Sequence, residues 1–515
     1  MSSGRSFAPL RLLAGGLVLL GAVLGTTRTA GAVTAPAGRT LSPTTFQAYV
    51  AASEYLDVRI SPSAPSQTVR VTSPAGVVTT CTRAAAGPVF TPAGCSTSPS
   101  TGVIGLYNLT SPTAGVWLVE PIETGYVWEL RVKSSPVLAA VDGGSDTTAA
   151  VTAATIPGRV WTESYRMLQT GGTPTFSFWY QSEHGYLYRA EHRAYNGVSS
   201  TFASDATGVR DTDLGPCVSA YRSTDFVGPN VLPNLTLPAP GECGDPYKIF
   251  FEPPAADLPA TALRFDGTTT WVRPPIANPT ISALAFAPNL ATPVKDGQVT
   301  FSVASFTGQL EVLVDADFNG FYGDPQDRSI PAFATSGPVA VAFDGLDGLG
   351  NPIPEGSPVQ VRVVIARAGE IHFVSGDVEI RSGIAVERLN GPSPGFVDLH
   401  WDDTQLATAG RACVTPILDG TAGVPSAAGV HGWPCADNSN TGIGGSWGDA
   451  RYLDDWTFVD VQVAEELTVP ALVGIPLAQP VVIVAAAGAA GLALLLRRRA
   501  RRARSGAGRP PALVG

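Results

Sequence analysis

The chain has 515 residues, with 56 glycines, 44 prolines and only 15% charged side chains, and glycine and proline break helices, so the composition excludes a protein built on long surface helices. The formal net charge is −10. With the arginines of the two ends set aside the middle carries roughly −20, a balance that excludes nucleic acid as a partner and suits solubility, divalent cations or a basic partner.

At the start, Arg5 and Arg11 precede an apolar run from Leu12 to Leu24, and Ala30-Gly31-Ala32 supplies a small-x-small cleavage pattern. Residues 1–32 therefore read as a signal peptide. At the other end, residues 475–496 form an uncharged apolar segment followed by Arg497, Arg498, Arg499, Arg501 and Arg502. As a helix this segment would extend roughly 33 Å, enough to cross a hydrocarbon core, and the arginines would hold residues 497–515 in the cytoplasm. The expectation is a single-pass cell-membrane protein with its ectodomain outside and its C-terminus inside.

Between these ends, strand patterns recur among Gly, Pro and Ser clusters. In residues 41–134, Tyr55 to Ile60, Thr68 to Val71, Gly115 to Glu120 and Tyr126 to Val132 alternate apolar with polar residues at period two, the mark of half-buried antiparallel strands in a small sandwich. The Gly115-Val116-Trp117-Leu118-Val119 strand loosely resembles extracellular jelly-roll modules of bacterial secreted proteins. Residues 135–155, rich in Ala, Thr, Gly and Asp, read as a linker. A second β-rich module spans 156–275, where the run from Tyr186 to Tyr195 ends on the hairpin signal Asn196-Gly197. Its tyrosines serve either packing or ligand contact, and strand preference favours packing.

The six cysteines fall into close pairs, Cys81 with Cys95, Cys217 with Cys243, and Cys413 with Cys435. Six cysteines allow fifteen connectivities, and local pairing in an oxidising compartment is the economical one. The five histidines lie at no ligand spacing from a cysteine pair, which disfavours zinc, and each reads as an ordinary strand-surface or loop residue. Lysine occurs only at 133, 248 and 295, a bias read as genomic.

Residues 281–380 carry the most specific pattern. Val299 to Val303, Leu310 to Val314 and Val339 to Phe343 lead into Asp344-Gly345-Leu346-Asp347-Gly348-Leu349-Gly350 and Pro354-Glu355-Gly356 before the strand from Val359. This resembles the immunoglobulin-like module of the flagellar hook-capping protein family and of many bacterial surface proteins, with Phe343 where a Trp is common. The resemblance implies a structural or interaction sandwich and supplies no active site.

Within this module Asp315-Ala316-Asp317-Phe318-Asn319-Gly320 opens as a calcium loop does, with oxygen donors at alternate positions and a glycine for the bend. The twelfth position is Gln326, so Asp324 or Asp327 must supply the closing oxygen. The candidate calcium ligands are thus Asp315, Asp317, Asn319, Asp324 and Asp327, and the alternative is an Asx-rich turn.

Residues 385–464 form a last β-rich module, and 465–474 a linker to the apolar segment. Gly444-Gly445-Ser446-Trp447-Gly448 fits G-x-S-x-G, and Asp454 with His431 or His400 would complete a triad, yet no strand-then-helix pattern surrounds the serine. Asp402 and Asp403 are adjacent, so in a strand they would point to opposite faces. The chain therefore reads as all-β, with several tandem Ig-like or jelly-roll-like sandwich modules and one C-terminal transmembrane helix. Its expected role is adhesive, binding or envelope-structural at the cell surface, with the membrane and an extracellular glycan or protein ligand as partners. It is not expected to be an enzyme; the alternative is an exported hydrolase of glycosidase or esterase type.

Overall fold

The computed structural model describes residues 33–34, 39–40, 45–62, 67–83, 95–97, 103–122, 126–142, 144–169, 172–228, 231–406, 417–434 and 447–471. Within them the alternating segments form strands. Tyr126–Lys133 buries Tyr126, Trp128, Leu130 and Val132, and Val359–Gly376 begins with Val359, Val361, Val363 and Ile365 buried. Each strand thus has an apolar face that leaves water only by packing on another sheet.

Two large sheets meet this need. One runs from Val78–Arg83 through Gln67–Thr72, Gly115–Pro121, Phe46–Val50, Val160–Thr162, Lys248–Phe250, Phe176–Gln181 and Leu187–Arg193 to Gly383–Arg388 and Gly395–Phe396. The other runs from Cys95–Thr97 through Ile104–Leu109, Tyr55–Pro62, Tyr126–Lys133, Arg39–Thr40, Ser164–Gln169, Gly197–Asp205 and Val359–Gly376 to Arg451–Val469 and Thr224–Asp225. Their inner faces share one core, in which Phe46 lies 4.4 Å from Trp128 and Tyr180 lies 4.9 Å from Phe373, ring centre to ring centre. Tyr186, Tyr188 and Tyr195 are buried in this core.

The expected string of separate sandwiches is corrected by this topology. Trp161 pairs with Gln47, Arg189 with Glu387, and Phe202 with Ser375, so both sheets are open and continuous across segments far apart in the chain. A sheet edge presents unpaired N–H and C=O groups, and the next strand satisfies them by extending the sheet rather than starting a new one.

A second core forms where Thr280–Pro288, Gly297–Asp315 and Arg328–Phe343 branch from the Val359–Gly376 strand, enclosing Val299, Phe301, Val312, Val314, Phe343, Val361 and Val363. A long ladder runs from one core to the other. Val359–Gly376 and Arg451–Val469 pair from Val359 opposite Val469 to Gly376 opposite Tyr452. The register slips between Ile365 and Arg367 and again between Ala368 and Ile371, at the border of the cores. There Gly369 takes φ +56°, and a Cβ added to it would stand 2.5 Å from the Tyr186 ring.

Cys81 and Cys95 form a disulfide with Cα atoms 5.7 Å apart, joining the edge strands of the two sheets. Cys217 and Cys243 form another, with Cα atoms 5.4 Å apart. Cys413 and Cys435 lie outside the described residues, as do residues 1–32, 475–496 and 497–515.

No helix among the described residues is long and apolar enough to cross a membrane. The α-helix Thr148–Ala154, nucleated by the Thr147 side chain accepting the N–H of Ala150, has 7 residues. Strand pairing also continues to Val469, through the start of the segment read as a linker. The architecture of sandwich modules carried on a transmembrane helix is therefore corrected to open β-sheets. The single-pass topology, cell-membrane location, membrane and surface-ligand partners, and surface role inferred from that architecture are withdrawn with it, because the described fold offers them no spanning helix.

Candidate functional site

The loop 316–327 connects Gly297–Asp315 to Arg328–Phe343 at the end of the second core. Asp315 ends its strand opposite Gln360 and is fully buried, while Asp317 is exposed and Asp327 intermediate. One carboxylate oxygen from each of these three residues lies within 4.8 Å of the others. Oxygens that share a cation at 2.3–2.6 Å stand about this far apart, so the spacing suits a hard divalent ion.

The backbone explains how the carboxylates come together. Phe318 takes φ +61° and Gly320 φ +86°, which turn the loop back on itself. Asp315 accepts the N–H groups of Asn319 at 3.1 Å and Gly320 at 2.8 Å, and Asp327 accepts those of Ala316 at 3.3 Å and Gly323 at 2.7 Å. Asn319 Nδ2 donates to Asp317 at 3.0 Å and to Asp324 at 2.7 Å, so these two residues stand beside the triad. Gly348 donates to the carbonyl of Gln326 and approaches so closely that a Cβ would lie 2.2 Å from the Asp327 carbonyl oxygen. Among the described residues no Lys or Arg lies within ion-pair distance of Asp315, Asp317, Asp324 or Asp327.

Sequence reading missed a second kind of site. His192 and His372 are fully buried on strands, and His431 is buried in a bend, so burial corrects the reading of these histidines as ordinary surface or loop residues. His192 sits among Phe176, Phe178 and Phe202, and loss of hydration pushes its imidazole down to about 3. His372 Nδ1 lies 2.8 Å from Asp454, and Glu370 is 3.7 Å from its other nitrogen. Burial alone would lower His372, but Asp454 and Glu370 outweigh it and raise the imidazole to about 10.

His431 lies between Asp403, 2.8 Å from its Nε2, and Asp455, which faces Nδ1. Burial opposes its charge, yet the two carboxylates raise it to about 9. Arg381 Nη2 donates to Asp455 at 2.9 Å. Desolvation would raise Asp455, but Arg381 and His431 hold it below the usual carboxylate range.

These partners dissolve the imagined triad. Asp454 serves His372, His431 serves Asp403 and Asp455, and His400 stacks on Trp456 and Phe458 with Nδ1 3.0 Å from the Thr421 carbonyl. Ser446 lies outside the described residues. Asp402 caps Thr404 at 2.9 Å, whereas its neighbour Asp403 is buried against His431.

No protein-family model matches the chain, and no curated protein is similar to it. Among solved structures, a DUF4785 family protein from Legionella pneumophila aligns over 68% of this chain and 86% of its own at 9% identity, with a TM-score of 0.14, and carries no argument about fold or function. The resemblance to the hook-capping Ig-like module, and the C-terminal membrane-anchor reading that accompanied it, are accordingly corrected. Its pattern is local turn chemistry: Asp347 accepts the N–H groups of Leu349 at 2.9 Å and Asn351 at 2.7 Å, while Gly345 and Gly350 supply positive φ. Such turns recur in unrelated β proteins.

Proposed function

We propose that the chain is a β-structural protein whose 316–327 loop binds a divalent cation of the calcium class, and that this site stiffens the second core without catalysis. The observation that carries this reading is the convergence of Asp315, Asp317 and Asp327, three like charges within 4.8 Å that no described cationic side chain compensates. Asp315 links the loop to the core, since its strand pairs directly with Val359–Gly376. The buried settings of His372 and His431 suit charge balance inside a core better than proton exchange with a substrate.

Thermal melts of the full chain with calcium, with magnesium and with chelator test the proposal. A site assembled from few charged ligands should bind at about 10⁻⁴ to 10⁻³ M, and calcium at a hundredfold excess over that constant should add about 2.7 kcal/mol of stability. Asp317→Ala should abolish the calcium response, because Asp317 is the exposed member and its loss spares the buried Asp315 bonds. Identical melts in calcium and chelator, or a full response in Asp317→Ala, would reduce the loop to an Asx turn.

A further inference from the structure

The three lysines are all buried, and two are fully employed. Lys133 Nζ lies 2.7 Å from Asp57 and donates to Asn108 at 2.8 Å and to the Val137 carbonyl at 2.6 Å. Lys295 Nζ donates to the carbonyls of Glu355 at 3.2 Å and Pro470 at 2.8 Å. Lys248 is different. It is 1% exposed, its Nζ lies 3.8 Å from the ring centre of Trp271 and 5.5 Å from that of Trp161, and among the described residues it meets neither a hydrogen-bond acceptor nor an ion-pair partner.

This amine borders a cavity of about 180 Å³, whose wall also carries Glu163, Asp245, Arg264 and Trp271. Glu163 is held by Gln47 Nε2 at 2.7 Å and Asp245 by Trp271 Nε1 at 2.8 Å, each through one oxygen. Arg264 approaches Asp266 at 3.6 Å and lies over the Phe265 ring at 5.1 Å from its centre. Two cationic groups and two carboxylates therefore meet in a small polar chamber. Burial pushes the Lys248 amine down to about 8 against the pull of Glu163 and Asp245, so part of it is neutral and nucleophilic near neutral pH.

We propose that Lys248 is a covalent site for a small carbonyl compound bearing a carboxylate, of the α-keto acid class, captured as an imine inside this cavity. The Nζ lone pair attacks the carbonyl carbon, the C=O π pair moves to oxygen, and the proton released by nitrogen passes to that oxygen to give a carbinolamine. The proton that the ammonium form of Lys248 gave up to the carboxylate of Glu163 or Asp245 then passes to the hydroxyl, which leaves as water while the nitrogen lone pair forms the C=N bond. The products are a protonated imine, a carboxylate to pair with it, and water; no oxidant or reductant is consumed. Arg264 holds the ligand's carboxylate, for which its planar fork is suited. This site is independent of the cation loop.

The test uses the full chain with glyoxylate as probe and cyanoborohydride to fix the imine, followed by peptide mass mapping. Lys133 and Lys295 are internal references of the same chemistry and similar burial. Lys248 should be modified roughly tenfold faster than either at pH 8, because only its amine is unpaired and faces a cavity. Arg264→Gln should slow glyoxylate capture by roughly tenfold and leave acetaldehyde capture unchanged, since acetaldehyde has no carboxylate to hold. Labelling of Lys248 no faster than that of Lys133 and Lys295 in the folded protein would overturn the proposal, as would glyoxylate capture indifferent to Arg264→Gln. Both readouts are taken on protein whose melt matches the untreated chain, so misfolding cannot mimic either result.

Discussion

The imidazole of His431 lies parallel to the indole of Trp401, with planes 2° apart and ring centres 4.8 Å apart. This stacking seals a charged group inside an apolar core, and the seal makes stability depend on pH. The folded His431 and His372 sit at about 9 and about 10 against an ordinary value of 6.5. Groups raised in this way contribute fully below about pH 6.5 and lose their contribution as pH rises through the folded values. His192, lowered to about 3, acts in the opposite sense: its contribution is present above about 6.5 and is lost on the way down to about 3. The urea midpoint should therefore peak near pH 6.5 and fall on both sides. A midpoint that is flat from about pH 5 to 10, or highest at the alkaline end, would contradict these assignments.

Asp455→Asn should be among the most damaging single substitutions. It removes the charge that faces both Arg381 and His431, and Arg381 is fully buried. An uncompensated buried guanidinium costs about 3–5 kcal/mol. Urea denaturation at pH 7 measures it, and a loss below about 1 kcal/mol would mean that water or another partner reaches Arg381.

Gly369→Ala tests the border between the two cores. The residue has φ +56°, and a Cβ would press on the ring of Tyr186, which is itself buried. Left-handed strain and overpacking together should cost about 2–4 kcal/mol, read as a shift of the denaturation midpoint. An unchanged midpoint would show that the bulge relaxes freely.

Cys217→Ser together with Cys243→Ser opens a loop with a sequence separation of 26. In the chain-entropy model the bridge is worth about 3 kcal/mol, so the paired variant should be less stable to denaturant by that amount. Pro240 and Gly241, close to Cys243 in the chain, also line the Lys248 cavity. The same variant should therefore lose the preferential labelling of Lys248, and retention of that labelling would separate the bridge from the cavity.

The alternation of Val359, Val361, Val363 and Ile365 is legible because a half-buried strand imposes period two on its own residues. The Asp315-x-Asp317-x-Asn319-Gly320 turn is legible for the same reason, since its bonds join residues a few positions apart. Nothing local marks the rest. His372 finds Asp454 across 82 positions, and His431 finds Asp403 and Asp455 across 28 and 24, pairings set by strand register. Lys248 looks ordinary in sequence because its isolation depends on which indoles and carboxylates the sheet brings beside it. The continuity of the sheets is hidden likewise, for Trp161 opposite Gln47 is a relation between distant segments.

The long ladder that joins the cores also imposes an order of events during synthesis. Val359–Gly376 emerges with Gly297–Asp315 and Gly197–Asp205 already available to pair with it, but Arg451–Val469 follows only after about 75 further residues. At about 5–20 residues per second, the nascent chain spends roughly 4–15 s with a long strand edge open on the ribosome. During that interval a neighbouring chain could dock where the last strand belongs. Slowing translation between residues 376 and 451 should then raise the aggregated fraction while leaving the finished molecule unchanged.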